Sequence, residues 1–276
     1  MSNSIAECIL KTAPDKGFEN QALITCKIEV PYYVWAELLT HKRFARNASS
    51  NRAMSVDKNL SSLGFYLPST FFAQGTGMAS GDSVDPEIQK EALKIWNDVW
   101  KYCSKKSQKL AKLGVTKEQS SRILPTFKMM RGLVTGTQDA WNKFFALRIS
   151  PLADTAMQEF AQKVKTAIDE KKYQYSVLHL PYLTKEELAN DEFNAEEILY
   201  VGAGRIARLS YGNISTKNND MTLGQRLKKD NHLSPFEHSA GWVHNPWNSA
   251  LCSKAEDMVE NYGWESARAT FEREGA

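Results

Sequence analysis

Apolar residues along this chain recur at two spacings, every second position or every third to fourth, and each spacing predicts its own element. Residues 22–30, ALITCKIEV, alternate and are rich in β-branched side chains, which predicts a strand. Pro31 suits the first turn of a helix, and Val34, Trp35, Leu38 and Leu39 follow at helical spacing, so a helix is expected from Pro31 to about Ala45. That helix places Glu37, His41 and Lys42 on or beside one element. Residues 61–85 hold no sustained period and predict a long loop, of a length usually tied to function or disorder. From Pro86 onward Leu93, Trp96, Trp100, Cys103 and Leu110 lie three, four or seven apart, a helix closed by Gly114 whose apolar face is expected to be core. A helix over about Gln138 to Leu147 carries the stripe Trp141, Phe144 and Phe145, which Arg148 continues, and an amphipathic helix is expected from about Ala153 to Lys171. The acidic stretch KEELANDEFNAEE then reads as a solvated surface segment. ILYVGAGRIARLSY fits a helix or a strand entering a turn, and a short helix is expected at Leu223 to Lys229.

Composition narrows the function classes. The 276 residues carry 35 Lys+Arg against 32 Asp+Glu, a net charge of +3, so bulk nucleic-acid binding is disfavoured and any polyanion contact needs a local patch. With 42% apolar residues the chain can bury a full core, which excludes disorder as its main state. No apolar run approaches the roughly 18–20 residues of a membrane span, and the first residues, MSNSIAECILKTAPDK, are too short in apolar content for a secretory signal, so a cytoplasmic location is expected. Cysteines at 8, 26, 103 and 252 are scattered without a Cys-x-x-Cys pair, so neither a disulfide framework nor a metal site is expected. Ser50 and His41 are close in sequence, but no Gly-x-Ser-x-Gly elbow frames any serine. A hydrolase is set aside on that ground.

Three segments bear candidate chemistry. THKRFARNASSNRAMS, residues 40–55, gathers Lys42, Arg43, Arg46 and Arg52 among hydroxyls and amides with no acid in the span. Such a set suits phosphate oxygens through charge-assisted hydrogen bonds, or forms a solvated basic turn. Arg148, following a buried aromatic stripe, needs a compensating partner: a ligand, or an internal acid such as Glu159 or Asp154. HLSPFEH, residues 232–238, lacks zinc-helix spacing and reads as a capped helix start, with Ser234 as N-cap, Pro235 at N1 and Glu237 at N3, able to hold a phosphate or simply to end a loop.

Together these segments resemble the flavin-dependent thymidylate synthases. The family signature, Arg-His-Arg, seven residues, Ser, one residue, Arg, is similar to Thr40-His41-Lys42, seven residues, Ser50, then Arg52. RILPTF (122–127) resembles the segment ahead of the central helix, TGTQDAWNKFFALR (135–148) that helix, and ADTAMQEFA (153–161) the segment after it. RIARLSY (205–211) and HLSPFEH resemble segments that precede the signature in the compact branch, so the order here is circularly permuted, as in a longer branch that shares Gly77-Met78 and His179 to Tyr182. Thr40 and Lys42 stand where relatives have Arg, Glu37 where the compact branch has Gln, Ala48 where it has Glu, and Asp139 and Lys143 where relatives have Arg and Asn.

The resemblance implies an α+β chain with that family's mixed α/β fold, a central sheet with flanking helices, in one domain over residues 1–276 with a flexible loop near 61–85 and a C-terminal extension near 241–276. It implies a homotetramer with active sites shared between subunits, FAD as cofactor, NADPH as reductant, 5,10-methylenetetrahydrofolate as donor, and C5 methylation of a deoxypyrimidine monophosphate, dUMP. Glu37, Ser50, Asn51, Arg52, Arg122 and Arg148 become substrate-binding positions, with Arg148 catalytic by polarising the base. His41, Lys42, Asn47, Thr137, Lys143, Ser210, His232 and Ser234 become cofactor-binding positions. Glu37 is able to accept from an exocyclic amine, which keeps dCMP open beside dUMP. Two other outcomes stay open on the same scaffold: 5-hydroxymethylation of the nucleotide, and a non-catalytic protein that binds nucleotide or nucleic acid.

Overall fold

The structure is a computed structural model that describes residues 4–76, 80–188, 194–210, 215–242 and 263–274, with only the backbone of Ser210 and Glu274. Strands β1 (Ile5–Ala13) and β2 (Leu23–Pro31) lead into helix α1 (Tyr32–Leu38), strand β3 (Ala45–Ala48) and helix α2 (Val56–Ser62). A hairpin of β4 (Phe72–Gln74) and β5 (Ser80–Ser83) precedes the long helix α3 (Pro86–Lys112) and the short α4 (Lys117–Ser121). Strand β6 (Met129–Thr137) runs directly into α5 (Gln138–Arg148), and α6 (Thr155–Glu170) follows. The remainder comprises β7 (Gln174–Tyr175), β8 (Leu178–His179), α7 (Lys185–Leu188), α8 (Ala195–Ala207), α9 (Lys217–Lys229), β9 (Ala240–Trp242), β10 (Trp264–Ser266) and α10 (Ala267–Glu274). The expected C-terminal extension is described only at its two ends, and the Gly77-Met78 pair lies outside the described residues.

The central sheet has the order β3-β6-β2-β1-β7, antiparallel throughout except where β1 meets β7. Its inner strands β2 and β6 are buried along nearly their whole length, as strands covered on both faces must be. The period of two in 22–30 sorts the faces. Ile24, Cys26, Ile28 and Val30 join Trp141, Phe144 and Phe160 of α5 and α6 in the main core. The opposite face carries Leu23 against Ala240 and Trp264, and Leu133 of β6 against Ile206 and Leu209. Each fully buried Leu or Phe in these clusters contributes roughly 1.5–3 kcal/mol of transfer free energy.

On that second face the polar residues are linked in one buried chain. His179 accepts or donates to Thr12 at 2.9 Å and Thr25 at 2.7 Å, Thr25 bonds Thr135 at 2.7 Å, and Thr135 bonds His238 at 2.7 Å. The chain ties β8 and the 3-10 turn Ser234–His238 to the sheet. Helices α8 and α9 cross nearby at a contact only glycine allows: a Cβ on Gly204 would lie 2.1 Å from the Asp220 carbonyl oxygen, and one on Gly224 2.2 Å from that of Tyr200.

Several expectations shift. The helix begun at Pro31 ends at Leu38, because Thr40 Oγ1 donates to the Glu37 carbonyl and residues 45–48 pair with β6 instead. The 61–85 loop contains the β4–β5 hairpin and a bridge from Phe65 to Lys128. The expected core face of α3 is packed, with Trp100 stacked on Phe65 and Trp96 tilted on Phe127 at centroid distances of 4.7 and 4.5 Å, but the helix also carries Ile88, Ile95, Val99 and Tyr102 as exposed apolar residues. The 198–211 segment is helical as α8, and α9 starts at Lys217 under a Thr216 cap, six residues before Leu223. The acidic stretch is engaged rather than simply solvated, since Glu187 holds Arg205 through both oxygens, at 2.8 and 2.5 Å. No described helix is long and apolar enough to cross a membrane.

Burial holds His179 and His238 neutral, each at about 3 against an ordinary 6.5, with each imidazole's neighbour a hydroxyl rather than a carboxylate. The unfolded chain therefore binds protons that the folded chain refuses between those values. Stability is full above about pH 6.5 and falls as the pH drops toward 3, by roughly 2 kcal/mol per histidine at pH 5. Glu187, held down to about 2 chiefly by Arg205, loses its own contribution only below about 4.5, so at pH 5 the histidines alone account for the change. Urea unfolding at pH 7.5 and pH 5 measures the loss, and equal free energies at the two would contradict a neutral buried pair.

Candidate functional site

Helix α5 starts under Thr137, whose Oγ1 accepts from the Ala140 N–H at 3.2 Å, so this residue is a cap built into the strand-to-helix junction. The stripe Trp141, Phe144 and Phe145 is buried, and it delivers Arg148 to the last turn at the edge of the core. There the Arg148 Nε donates to His41 Nε2 at 2.8 Å and its Nη1 pairs with Glu37. The acid that compensates Arg148 is thus Glu37, not Glu159 or Asp154. Glu159 accepts from Tyr66 and Ser69, while Asp154 caps α6. Arg46 closes the group by donating to the carbonyls of Leu39 at 2.7 Å and His41 at 3.2 Å. His41 also packs edge-on against Phe144. Burial first, then the charges of Arg148 and Arg46, lower the His41 pKa, so the ring is neutral near pH 7 with its proton on Nδ1.

A second group forms around the turn after β3. The Ser50 Oγ accepts from the Arg52 N–H at 3.2 Å, and the Arg52 Nε donates to Glu118 Oε2 at 2.8 Å. Arg122 donates to the other Glu118 oxygen at 2.5 Å. Hydrogen bonds from Arg122 first and Arg52 second hold the Glu118 carboxyl below its usual range. The two guanidinium groups share this carboxylate yet remain 80% and 70% exposed as side chains, so both are open to an incoming ligand. Ser49 exchanges hydrogen bonds with Arg131 of β6, and the Asn51 Oδ1 accepts from Asn59 Nδ2 at 3.0 Å and Lys128 Nζ at 2.8 Å. The turn is therefore fixed to the sheet.

Asp139 organises a third group by pairing with Arg43 at 2.5 Å and Lys143 at 3.1 Å, beside a surface cleft it lines with Asn20, Gln21 and Lys143. Asn47 donates to the Ile206 carbonyl at 3.5 Å, bringing α8 to β3. Lys42 and His232 are exposed. Ser234 does not cap: Leu233 takes that position, no side chain caps the turn, and Glu237 pairs with Arg268. The side chain of Ser210 lies outside the described residues.

The basic stretch is accordingly divided among three ion-paired groups, with Arg148 and Glu37 in one, Arg52, Ser50 and Arg122 in another, and Lys143 in the last. The acids that the span itself lacks arrive from elsewhere in the chain, from α1, α4 and α5. Sequence reasoning missed Glu118, although its i,i+4 spacing to Arg122 behind Thr116 was a readable sign. It also missed Lys128, a single cation set between Phe127 and Met129 in a run whose neighbours are buried.

Two solved structures share this fold: the UMP/dUMP methylase PolB from Streptomyces cacaoi bound with 5-Br UMP, and the same protein bound with 5-Br dUMP. The first matches with a TM-score of 0.54 at 15% identity over 62% of this chain and 90% of that one. The second matches with a TM-score of 0.52 at 15% identity over 61% of this chain and 91% of that one. No curated protein sequence matches the chain. The family model described as Thymidylate synthase complementing protein, Thy1, matches residues 5–171, from β1 through α6, and covers both ends of β6. With more than half of its length matched, this protein belongs to the Thy1 family.

Proposed function

We propose that this chain is a flavin-dependent enzyme that methylates dUMP at C5, using FAD, NADPH and 5,10-methylenetetrahydrofolate in a homotetramer. The observation that carries the reading is the pair Arg52 and Arg122, both exposed and held side by side by Glu118. Two guanidinium groups sharing one carboxylate leave a net positive charge, and their planar forks match phosphate oxygens. Ser50 in the same turn adds a hydroxyl. In this reading the nucleotide phosphate takes over donors that Glu118 now engages.

The base falls to Arg148 and Glu37. Side by side they present N–H donors next to a carboxylate acceptor. Uracil offers the complement through N3–H and a neighbouring carbonyl, and cytosine offers it through its amine and N3, so the pair fits either base. Arg148 also places a cation where negative charge develops on the ring as C5 is alkylated, an electrostatic role made stronger by its partly buried setting. His41, neutral and anchored through Nε2, orients Arg148 and keeps its Nδ1–H for a ligand acceptor.

FAD would be held by His41, Lys42 and Asn47 with His232, Ser234 and Ser210 of the later segments. The residues fit such a group in one specific respect: His238 Nε2 and Ser239 Oγ, at the end of the last of those segments, are buried polar atoms with no hydrogen-bond partner among the described residues. What bound FAD supplies is hydride transfer, with NADPH as its reductant. The bonds Asn47 to Ile206 and Thr135 to His238 bring the late segments against the early strands, which supports a permuted order of one family architecture. Thr137 and Lys143 act at one remove, the first by capping α5 and the second through Asp139. For assembly, Ile88, Ile95 and Tyr102 fall seven apart on α3 with Val99 between them, an exposed apolar stripe. Glu87, Glu91 and Asp98 share the first half of that helix with Lys90 and Lys94, whereas only lysines follow Asp98, so a second copy laid antiparallel would set the nearly neutral half against the basic one and keep the two basic halves apart.

Purified protein should be yellow with oxidised-flavin absorbance, and mass analysis of the nucleotide after turnover should show an added methyl group. A colourless preparation without folate-dependent turnover would overturn the reading, and a hydroxymethyl product would replace its last step. Arg148→Ala should lower kcat on the order of 10²–10³-fold, as loss of a transition-state donor does, while the protein stays folded. Glu118→Gln should raise affinity for dUMP several-fold by removing the competing carboxylate, and weaker binding would show that Glu118 positions the arginines instead. Ile95→Asp with Val99→Asp should shift the assembly to smaller species in sedimentation velocity, and an unchanged profile would remove α3 from the subunit contact.

A further inference from the structure

The cations of the candidate site are compensated in different ways. Arg43, Arg52, Arg122 and Arg148 each meet a carboxylate, and Arg46 meets two backbone carbonyls. Lys11, buried against α6, bonds the Ile168 carbonyl at 3.1 Å and lies 4.1 Å from the centre of the Tyr173 ring. Lys128 has none of these. It is 8% exposed, and among the described residues its Nζ has one acceptor, the amide oxygen of Asn51 at 2.8 Å, with no carboxylate in ion-pair range. A desolvated ammonium facing a single neutral acceptor is costly to keep, and an arriving anion relieves that cost.

Its place in the fold says which anion. Asn51 stands between Ser50 and Arg52, and Lys128 closes the segment that begins at Arg122, so the lysine lies beneath the turn that carries the exposed guanidinium pair. We propose that Lys128 is the buried cation of this site and binds, with Arg52 and Arg122, the phosphate monoester of the nucleotide. The inference rests on the reading above that the Ser50–Arg52 turn holds the substrate phosphate. Burial alone moves the lysine from 10.5 to about 8, which leaves it mostly protonated at pH 7 and ready to be stabilised by a dianion. Asn51 acts as the hinge of the arrangement, since its amide oxygen also receives Asn59 Nδ2 and therefore holds Lys128 without neutralising it.

The test compares full-length wild type with Lys128→Gln and Lys128→Met. It reads thermal melting without ligand and affinity for dUMP, deoxyuridine and inorganic phosphate. Removing an uncompensated buried charge should leave the melting temperature equal or higher. Affinity for dUMP and for inorganic phosphate should fall by about tenfold or more, a loss between that of one charge contact in water and one near a protein surface, while deoxyuridine binding holds. Variants that bind dUMP and inorganic phosphate as wild type does would overturn the proposal. So would two variants that fail to fold, because Lys128 would then be a structural strut. The reading of function is judged separately on the wild type: phosphate binding that depends on Lys128 without selection for dUMP keeps the anion site and removes the nucleotide, and a wild type that binds neither removes both.

Discussion

Strand β6 is covered on both faces, by α5 and α6 through the core that holds Trp141 and Phe144, and by the late segments through Leu133 and Thr135. Because little water reaches either side, the buried polar groups on the strand need internal partners, and the neighbours are chosen by that need. Thr135 links to Thr25 and His238. Gly136 is the place where the ring of Phe44 sits, 2.4 Å from where a Cβ would be, so any side chain there would evict the residue that packs on Trp141 and His41. The two ends of the strand feed two of the three ionic groups: Lys128 and Arg131 fix the Ser49–Arg52 turn at one end, and α5 carries Arg148 away from the other. A shift in β6 would therefore disturb both groups at once.

The carboxylates that hold the site cations share a property. Glu37, Glu118 and Asp139 lie on α1, α4 and α5, and each meets its arginine across the surface rather than within the deep core. Ion pairs at such depth contribute little to stability on their own, so their value lies in orienting the guanidinium forks while leaving them exchangeable. The contrast with Arg205 is instructive. It is gripped by Glu187 and by the nearly inaccessible Asp220 and donates to the Tyr182 carbonyl, and Asp220 holds Arg208 as well. That cluster locks α7, α8 and α9 together. The same residue type thus does two jobs, and depth together with the number of acids tells them apart.

Local pattern made part of this legible. The strand within 22–30, the α5 stripe ending on Arg148 and the span of α6 all follow from spacing, because each element's burial repeats with its own period. The failures share a cause in tertiary contact. Residues 45–48 pair with β6, which no helical count of Val34, Trp35 and Leu38 could reveal. The core stripe of α3 holds through Trp96 and Trp100, which meet Phe127 and Phe65, but Ile88, Ile95, Val99 and Tyr102 form a second, exposed apolar row that the stripe left out. The basic stretch was readable as cationic from its own letters, whereas its acids come from α1, α4 and α5, so the division into three groups was invisible before folding. Lys128 was hidden for the opposite reason, since one charge in an apolar run carries no period at all.

The pairing of Arg148 with Glu37 bears on which bases such a site can accept. If Arg148 stood alone, any ring carbonyl would satisfy it, and uracil and cytosine, which share the C2 carbonyl, would be weakly distinguished. With Glu37 beside it, the base must also bring a donor, because a half-buried carboxylate left without one keeps its desolvation cost. Both bases have such a donor, but at different atoms, so each would sit in the site with its C5 in a different place relative to Arg148. Discrimination then comes from where C5 falls and not from whether the base binds. In that case selectivity between the two nucleotides would appear in kcat more than in affinity, as it does whenever competing ligands bind comparably and only one aligns its reacting atom.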